Sequence, residues 1–276
     1  MADHKNEENI NDVLGQVGYQ MNEIMTTMYA SIQRVLPTDS PAKSDEIKKM
    51  EKYAALLMQD FYRLRRLAQN LSEAAELNHP MYLSKKNDDI VGLCRTIVTC
   101  AGQSAEMLGL HLEFHCERAS YIIAVDVDRI KRLILNLLSN SFKFTPQGGC
   151  IKVEVNIKTK YVEIRVSDTG CGIAPEDVDK IFEKYQYSIL PDGSPSGLGL
   201  GLPICRKIAQ EHGGGLVILS HPGEGTTVVV TLKNEKESQT TMGTKLTMDS
   251  SGGFNMTLQE LSDVIPSSLF RSGVVD

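Results

Sequence analysis

RLILNLLSNSFKFTPQGG, residues 132–149, is the stretch from which the rest of the chain can be read. Ile130, Leu133, Ile134, Leu137 and Phe144 recur near helical spacing and make an apolar face able to pack on a sheet. Asn136 and Asn140 share another face. Four residues apart on a helix, their amide groups lie about one turn apart, and Lys143 falls one position short of the next repeat. Two amide oxygens and an ammonium suit a magnesium ion with its phosphates, because magnesium takes oxygen ligands and keeps several waters. A surface helix with two solvated asparagines would show the same pattern, so the segments downstream must decide.

Residues 161–166 alternate as a strand, with Val162, Ile164 and Val166 on one side and Glu163 and Arg165 on the other. DTGCGI, residues 168–173, follows at the strand end. There Gly170 and Gly172 let the backbone approach a flat ligand, while Asp168 accepts a hydrogen bond from an amino group such as adenine offers. IFEKY, residues 181–185, precedes a loop rich in Ser, Pro and Gly, and GLGLGL, residues 197–202, opens the predicted helix PICRKIAQEHGG. Glycines feeding a helix N-terminus aim free N–H groups and the positive dipole end at phosphate. Pro203 is compatible with the first turn, where its missing donor costs nothing.

Any one glycine string is weak, but the ordered set is specific. It resembles the ATP-binding domain of the superfamily shared by DNA gyrase, heat-shock chaperones, mismatch-repair ATPases and histidine kinases, and most of all the histidine-kinase branch. The matching boxes are NLLSNSFKFT, DTGCGI, IFEKY, GLGLGL and GEGTTV, the last at residues 223–228, and the resemblance covers about residues 87–234. It implies an α+β protein, in which a helical hairpin that pairs into a four-helix-bundle dimer precedes a two-layer α/β sandwich with a mixed sheet. ATP and magnesium would sit there under a mobile lid. By the same resemblance, Asn140 would ligate magnesium, Asn136 would serve the catalytic side of the phosphate, and Lys143 would touch phosphate. Asp168 would take the adenine amino group, with Gly170, Gly172, Gly197, Gly199, Gly201 and Thr226 lining the nucleotide. Two departures stand out: Tyr187 occupies the lid position where an arginine or lysine is usual, leaving Lys184 nearby, and Leu198 replaces a small hydroxyl residue. Both weaken handling of the transferred phosphate more than adenine binding.

With 276 residues, 41% of them hydrophobic, the chain has room for one large or two small domains. A net charge of -6 argues against nucleic acid as the main partner. No apolar run reaches membrane-spanning length and the first residues are polar and acidic, so a cytoplasmic protein is expected. Cys94, Cys100, Cys116, Cys150, Cys171 and Cys205 form no CxxC pair and read as buried, reduced thiols. His111 and His115, in HLEFHC, point to the exposed face of a strand and stand about 13 Å apart, too far for one metal ion.

Ahead of the ATPase-like segment, Leu14, Val17, Met21, Ile24 and Met28 make one heptad seam, and Ile47, Met50, Ala54, Leu57, Phe61, Leu64, Ala68 and Leu71 a second. PTDSPAKSDE between them, with Ser44 a candidate N-cap, predicts a hairpin spanning residues 8–79. Pairing with a second copy would give a four-helix bundle; an intramolecular pair lying on the ATPase domain is the alternative. In the histidine-kinase resemblance this hairpin carries the phosphate-accepting histidine, yet the matching stretch here is NEIMTTM, residues 22–28, with Asn22 at the acceptor position. A carboxamide nitrogen is not nucleophilic, because its lone pair is delocalised, so phosphate transfer to position 22 is not expected. Met25 and Thr27 depart from the motif as well.

From Lys233 the composition becomes polar and reads as a flexible linker, so residues 235–276 form a tail. Within it Thr257 and Glu260 suggest a capping box, with Met256 and Leu261 as a staple. The short helix either docks on its own domain or serves as a peptide for a partner groove. Three functions remain open: a histidine-kinase-like signalling protein that phosphorylates or binds a partner (a response regulator or another kinase), an inactive pseudokinase scaffold regulated by nucleotide, and a serine kinase of the anti-sigma-factor type. The long hairpin disfavours the last.

Overall fold

The computed structural model describes residues 21–22, 25–26, 45–178, 180–182, 199–238, 249–250 and 254–270. The first predicted helix, Ser44 and the loop around Tyr187 therefore lie outside the described residues, apart from Met21, Asn22, Met25 and Thr26, which are helical. Helix α1 (Asp45–Glu76) leads into β1 (Lys86–Asp89), α2 (Ile90–Met107), β2 (His111–His115) and β3 (Ile122–Val125). Helix α3 (Val127–Phe144) carries the asparagines and runs into β4 (Cys150–Ile157) and β5 (Tyr161–Asp168). After two short 3-10 turns come α4 (Gly201–Glu211), β6 (Gly215–His221) and β7 (Gly225–Lys233). The described tail holds β8 (Asp249–Ser250), β9 (Phe254–Asn255), α5 (Met256–Leu261) and a 3-10 turn at Ser267–Phe270.

Five strands form one sheet in the order β2-β4-β5-β7-β6, with β2 parallel to β4 and the other neighbours antiparallel. This is the mixed sheet and α+β class expected. The alternation in β5 is what the sequence predicts: Val162, Ile164 and Val166 are buried, while Glu163 and Arg165 sit on the half-exposed face. Ile97 of α2, Leu133 and Leu137 of α3, and Ile204 and Ile208 of α4 join these valines and isoleucines in one core. One face of the sheet is thus covered by helices, and the other is open and mostly polar, apart from the exposed Val217 and Leu219 of β6.

Helix α3 is buried almost all round, from Ile130 to Ser139, and not only on the apolar face. Its second side is covered by α1 and the tail. Phe61 and Ala68 of α1 lie in the same continuous core as Leu258, Leu261, Ile265, Leu269 and Phe270 of the tail, with the Phe61 and Phe254 rings 5.9 Å apart. The second heptad seam accordingly splits: Phe61 and Ala68 face inward, whereas Leu57 and Leu64 are exposed.

Several local expectations are corrected. The tail helix is capped by Asn255, whose side chain accepts from Leu258 N at 3.0 Å, so Thr257 and Glu260 are no capping box and Glu260 is instead fully buried. Of the two tail readings, the structure shows docking on the chain's own helices. Residues 88–108, whose pattern predicts an amphipathic helix, start that helix only at Ile90, because Asp89 caps it and Asp88 stays in β1. Residues after Lys233 do not go straight into a linker, since Glu235 O accepts from Ala124 N and Glu237 N donates to Asn87. Only Cys94 and Cys205 are buried thiols; Cys100, Cys150 and Cys171 are exposed and Cys116 is intermediate.

The start of α3 is tied to the end of α4 by one histidine. Asp126 caps α3 by accepting from Arg129 N, and its own N–H donates to His212 Nε2 at 3.1 Å. Because Nε2 accepts, the proton is on Nδ1, which lies 2.8 Å from Ile208 O. Burial holds the His212 pKa below its ordinary value, opposed by the Ile208 carbonyl and assisted by Lys85. The unfolded chain takes a proton at about pH 6.5, while the folded one resists it. Stability contributed by neutral His212 is therefore expected to be full above that pH and to fall as pH drops below it. Denaturation midpoints from pH 7.5 to 5 should show the loss in the wild type and a flatter profile in His212→Gln.

Candidate nucleotide site

Asp168 is the last residue of β5, and three donors converge on its carboxylate. Gly170 N and Thr226 N donate to Oδ1 at 3.0 and 3.2 Å, and Ser141 Oγ donates to Oδ2 at 3.1 Å. With two acceptors' worth of lone pairs on each oxygen, Oδ1 is filled and Oδ2 retains capacity for one more donor. Burial raises the Asp168 pKa, and the bonds from Gly170, Ser141 and Thr226 pull it back. Ser141 belongs to α3, so this bond joins the first box to the strand-end acid.

The glycines are where the backbone leaves no space for a side chain. A Cβ on Gly170 would lie 2.6 Å from Phe144 O at the end of α3 and 2.8 Å from Asp168 Oδ1. Gly172 has φ +69, and a Cβ there would meet His221 O at 2.0 Å. Thr226 is further anchored through Ser220, whose hydroxyl lies 2.9 Å from its own. Gly199 has φ +65 and opens the turn into α4, whose N-cap, Leu200, supplies no side-chain acceptor for the first N–H groups. Gly201, the first residue of α4, sits so close to α3 that a Cβ on it would be 3.1 Å from Asn136 Oδ1. Gly197 lies outside the described residues.

Helix α3 therefore touches both predicted walls, through Ser141 at Asp168 and through Asn136 at Gly201. Asn140 lies between them in sequence and is only half-buried. Asn136 is 1% exposed; its Oδ1 accepts from Arg66 Nη2 at 3.1 Å, and its Nδ2 has no hydrogen-bond partner among the described residues. Lys143 Nζ is 3.4 Å from Asp263 Oδ2. Burial lowers the Lys143 pKa and neighbouring Arg66 lowers it further, while Asp263 opposes both.

Sequence reasoning missed Ser141, Arg66, Asp263 and Glu260. Ser141 stands inside the quoted stretch, five residues after Asn136, and its hydroxyl was the available signal. Arg66 comes from α1 and the two acids from the tail, so only the folded chain brings them to α3.

Residues 125–236 match the family of histidine kinase-, DNA gyrase B- and HSP90-like ATPases. Among individual proteins, the chain is 45% identical over 112 residues to histidine protein kinase DivJ of Caulobacter vibrioides, covering 40% of this chain and 19% of DivJ. It is 27% identical over 239 residues to sensor protein SrrB of Staphylococcus aureus, covering 84% of this chain and 40% of SrrB. The chain thus spans less than half the length of either relative. The crystal structure of full-length ShkA in complex with AMPPNP superposes with a TM-score of 0.61 at 20% identity, covering 82% of this chain and 47% of ShkA, a likeness of fold.

Gly172→Ala tests whether the strand-end loop has the tight geometry described. A Cβ at positive φ against the His221 carbonyl should cost on the order of 1–3 kcal/mol of unfolding free energy, read from chemical denaturation. Gly148→Ala, with positive φ but open space, should cost less.

Proposed function

We propose that this chain is a histidine-kinase-like signalling protein that binds ATP with magnesium. In this reading it dimerises and acts by phosphorylating or binding a protein partner, without accepting phosphate at Asn22. The carrying observation is Asp168, held by Gly170, Thr226 and Ser141 so that Oδ2 keeps room for a further donor. An adenine amino group has the matching chemistry, and the glycines beside the acid let the strand-end loop pack against Phe144 and His221 so that the acid is held in place. The orphaned Nδ2 of Asn136 and the uncapped start of α4 are donors suited to phosphate oxygens. Asn140 would hold magnesium, which when bound neutralises phosphate charge; Lys143 would share that task.

The relatives named as histidine kinase and sensor protein support a signalling role. The exposed Tyr53, Leu56, Leu57 and Leu64 on α1 favour pairing with a second copy of the chain. The domain limits that follow are 8–79 for the hairpin, 87–234 for the ATP-binding unit and 235–276 for the tail. A response regulator or another kinase is the partner class this reading implies, in the cytoplasm, where ATP is plentiful. Among the described residues no helix is long and apolar enough to cross a membrane.

A pseudokinase scaffold is the second reading. It is favoured by Lys143, which pairs with Asp263 of the chain's own tail.

Two measurements test the proposal. Asp168→Asn keeps acceptors for Gly170 and Thr226 but turns the remaining acceptor into a donor. It should leave thermal stability equal or higher, because an acid whose pKa burial raises loses stability as pH climbs through that pKa. Affinity for a magnesium-ATP analogue should nevertheless fall roughly tenfold to hundredfold, the equivalent of about 1.5–3 kcal/mol. Equal binding by both proteins removes Asp168 from the site. Separately, radiolabelled ATP should leave no acid-labile phosphoramidate on the chain; label at such a bond would show that a histidine here accepts phosphate after all.

A further inference from the structure

Asp263 lies just beyond α5, and one of its oxygens is shared by two cations from different parts of the chain. Arg66 Nη1 of α1 is 2.8 Å from Oδ2, and Lys143 Nζ of α3 is 3.4 Å from the same atom. Arg63 Nε approaches the other oxygen at 4.0 Å. The guanidinium of Arg66 also donates to Asn136 Oδ1 at 3.1 Å and lies 3.2 Å from Glu260 Oε2, an ion pair whose N–H is not aimed at the oxygen. The arginine is thus held by Asn136 and Glu260 on two sides, while its Nη1 is directed at the anion beside Lys143, here Asp263.

Asn136 and Lys143 are the residues of α3 assigned above to the phosphate side of the ligand. Arg66, reaching in from outside the ATPase domain, touches the first directly and faces the second across one carboxylate oxygen. A carboxylate and a phosphate offer the same kind of acceptor to a guanidinium and an ammonium. The cations gathered here, Arg63, Arg66, Arg129, Arg132 and Lys143, outnumber the carboxylates that face them, Asp60 on Arg63 at the surface and Glu73, Glu260 and Asp263 further in. Glu73 and Glu260 are buried between arginines, whereas the Asp263 side chain is 36% exposed. It is the acid of the cluster most able to leave.

We propose that Arg66 and Lys143 form a seat for the phosphate chain of the nucleotide and that the carboxylate of Asp263 is its intramolecular occupant, so that tail and triphosphate compete for one place. This rests on the nucleotide reading above and extends it to a residue of the helical hairpin. Arg66 supplies a cation on the phosphate side, where the lid sequence offers Tyr187. Ligand binding would displace Asp263 and loosen residues 262–270 from α1, so nucleotide occupancy would be reported on the helix that carries the exposed apolar stripe.

The test compares the wild-type chain, residues 1–276, with Asp263→Asn and Asp168→Asn, using magnesium-AMPPNP and adenosine as probes and amide hydrogen exchange across residues 254–270. Asp263→Asn removes the competing charge while keeping the side chain's size. It should bind AMPPNP on the order of fivefold more tightly and adenosine unchanged, because only the phosphate end gains access. In the wild type, AMPPNP should raise exchange across the tail and adenosine should not. Asp168→Asn should weaken both probes. Equal AMPPNP affinity in wild type and Asp263→Asn, with tail exchange indifferent to the probe, overturns the competition and leaves the nucleotide site standing. Equal gains for both probes overturn the phosphate seat. Binding of neither probe by any of the three proteins overturns the nucleotide reading as well.

Discussion

A guanidinium buried in the middle of α3 holds the three parts of this chain in register. Arg132, 2% exposed in the middle of α3, donates from Nε to Glu73 at 2.8 Å, from Nη1 to Glu260 at 2.7 Å, and from Nη2 to Asn70 at 2.8 Å. Burial works against its charge, yet Glu260 and Glu73 outweigh that and hold its pKa above the ordinary range. Glu73 and Asn70 belong to α1 and Glu260 to the tail, so both are fastened to the helix that serves the candidate site. Such a cluster is a poor source of net stability but a strong source of specificity of arrangement. Removing one partner strands a buried charge at a cost of about 3–5 kcal/mol, which makes any other docking of α1 unfavourable.

That constraint explains why α3 is buried on two sides. Against the sheet it presents Leu133, Leu137 and Ile130, and against α1 and the tail it presents Arg132 and Asn136. What is left for a ligand is the end nearest Asp168 and the start of α4, where Ser141, Gly170 and Gly201 press close. The polar groups there are fixed before any ligand arrives, by backbone donors and by glycines whose neighbours exclude a side chain. Preorganised donors of this kind lower the cost of binding, since little side-chain freedom remains to be lost.

The sheet and its site glycines were legible in sequence for the same reason that they are rigid. Period-two alternation in β5 and positive-φ glycines at 172 and 199 are imposed by local sterics, and local sterics act through neighbouring residues. The N-cap of α5 was misread, because Thr257 and Glu260 have capping-box spacing whereas Asn255 does the capping and Glu260 serves Arg132. Arg66 and Asp263 left no trace, since their meeting depends on a contact nearly two hundred residues apart in sequence. The second heptad seam was legible as helix but not as interface: its Phe61 and Ala68 turn inward to the tail, and Leu57 and Leu64 stay out.

The account rests on α3 linking the Asp168 wall to the Gly201 wall of one ligand site. Backbone and side-chain amide resonances of a labelled sample, followed during titration with a magnesium-bound, nonhydrolysable ATP analogue, address this most directly. Gly170, Thr226, Gly201 and the Asn136 carboxamide should shift together, along one saturating curve. Shifts at Gly170 and Thr226 with none at Asn136 or Gly201, or no saturable shifts at all, would contradict a shared site.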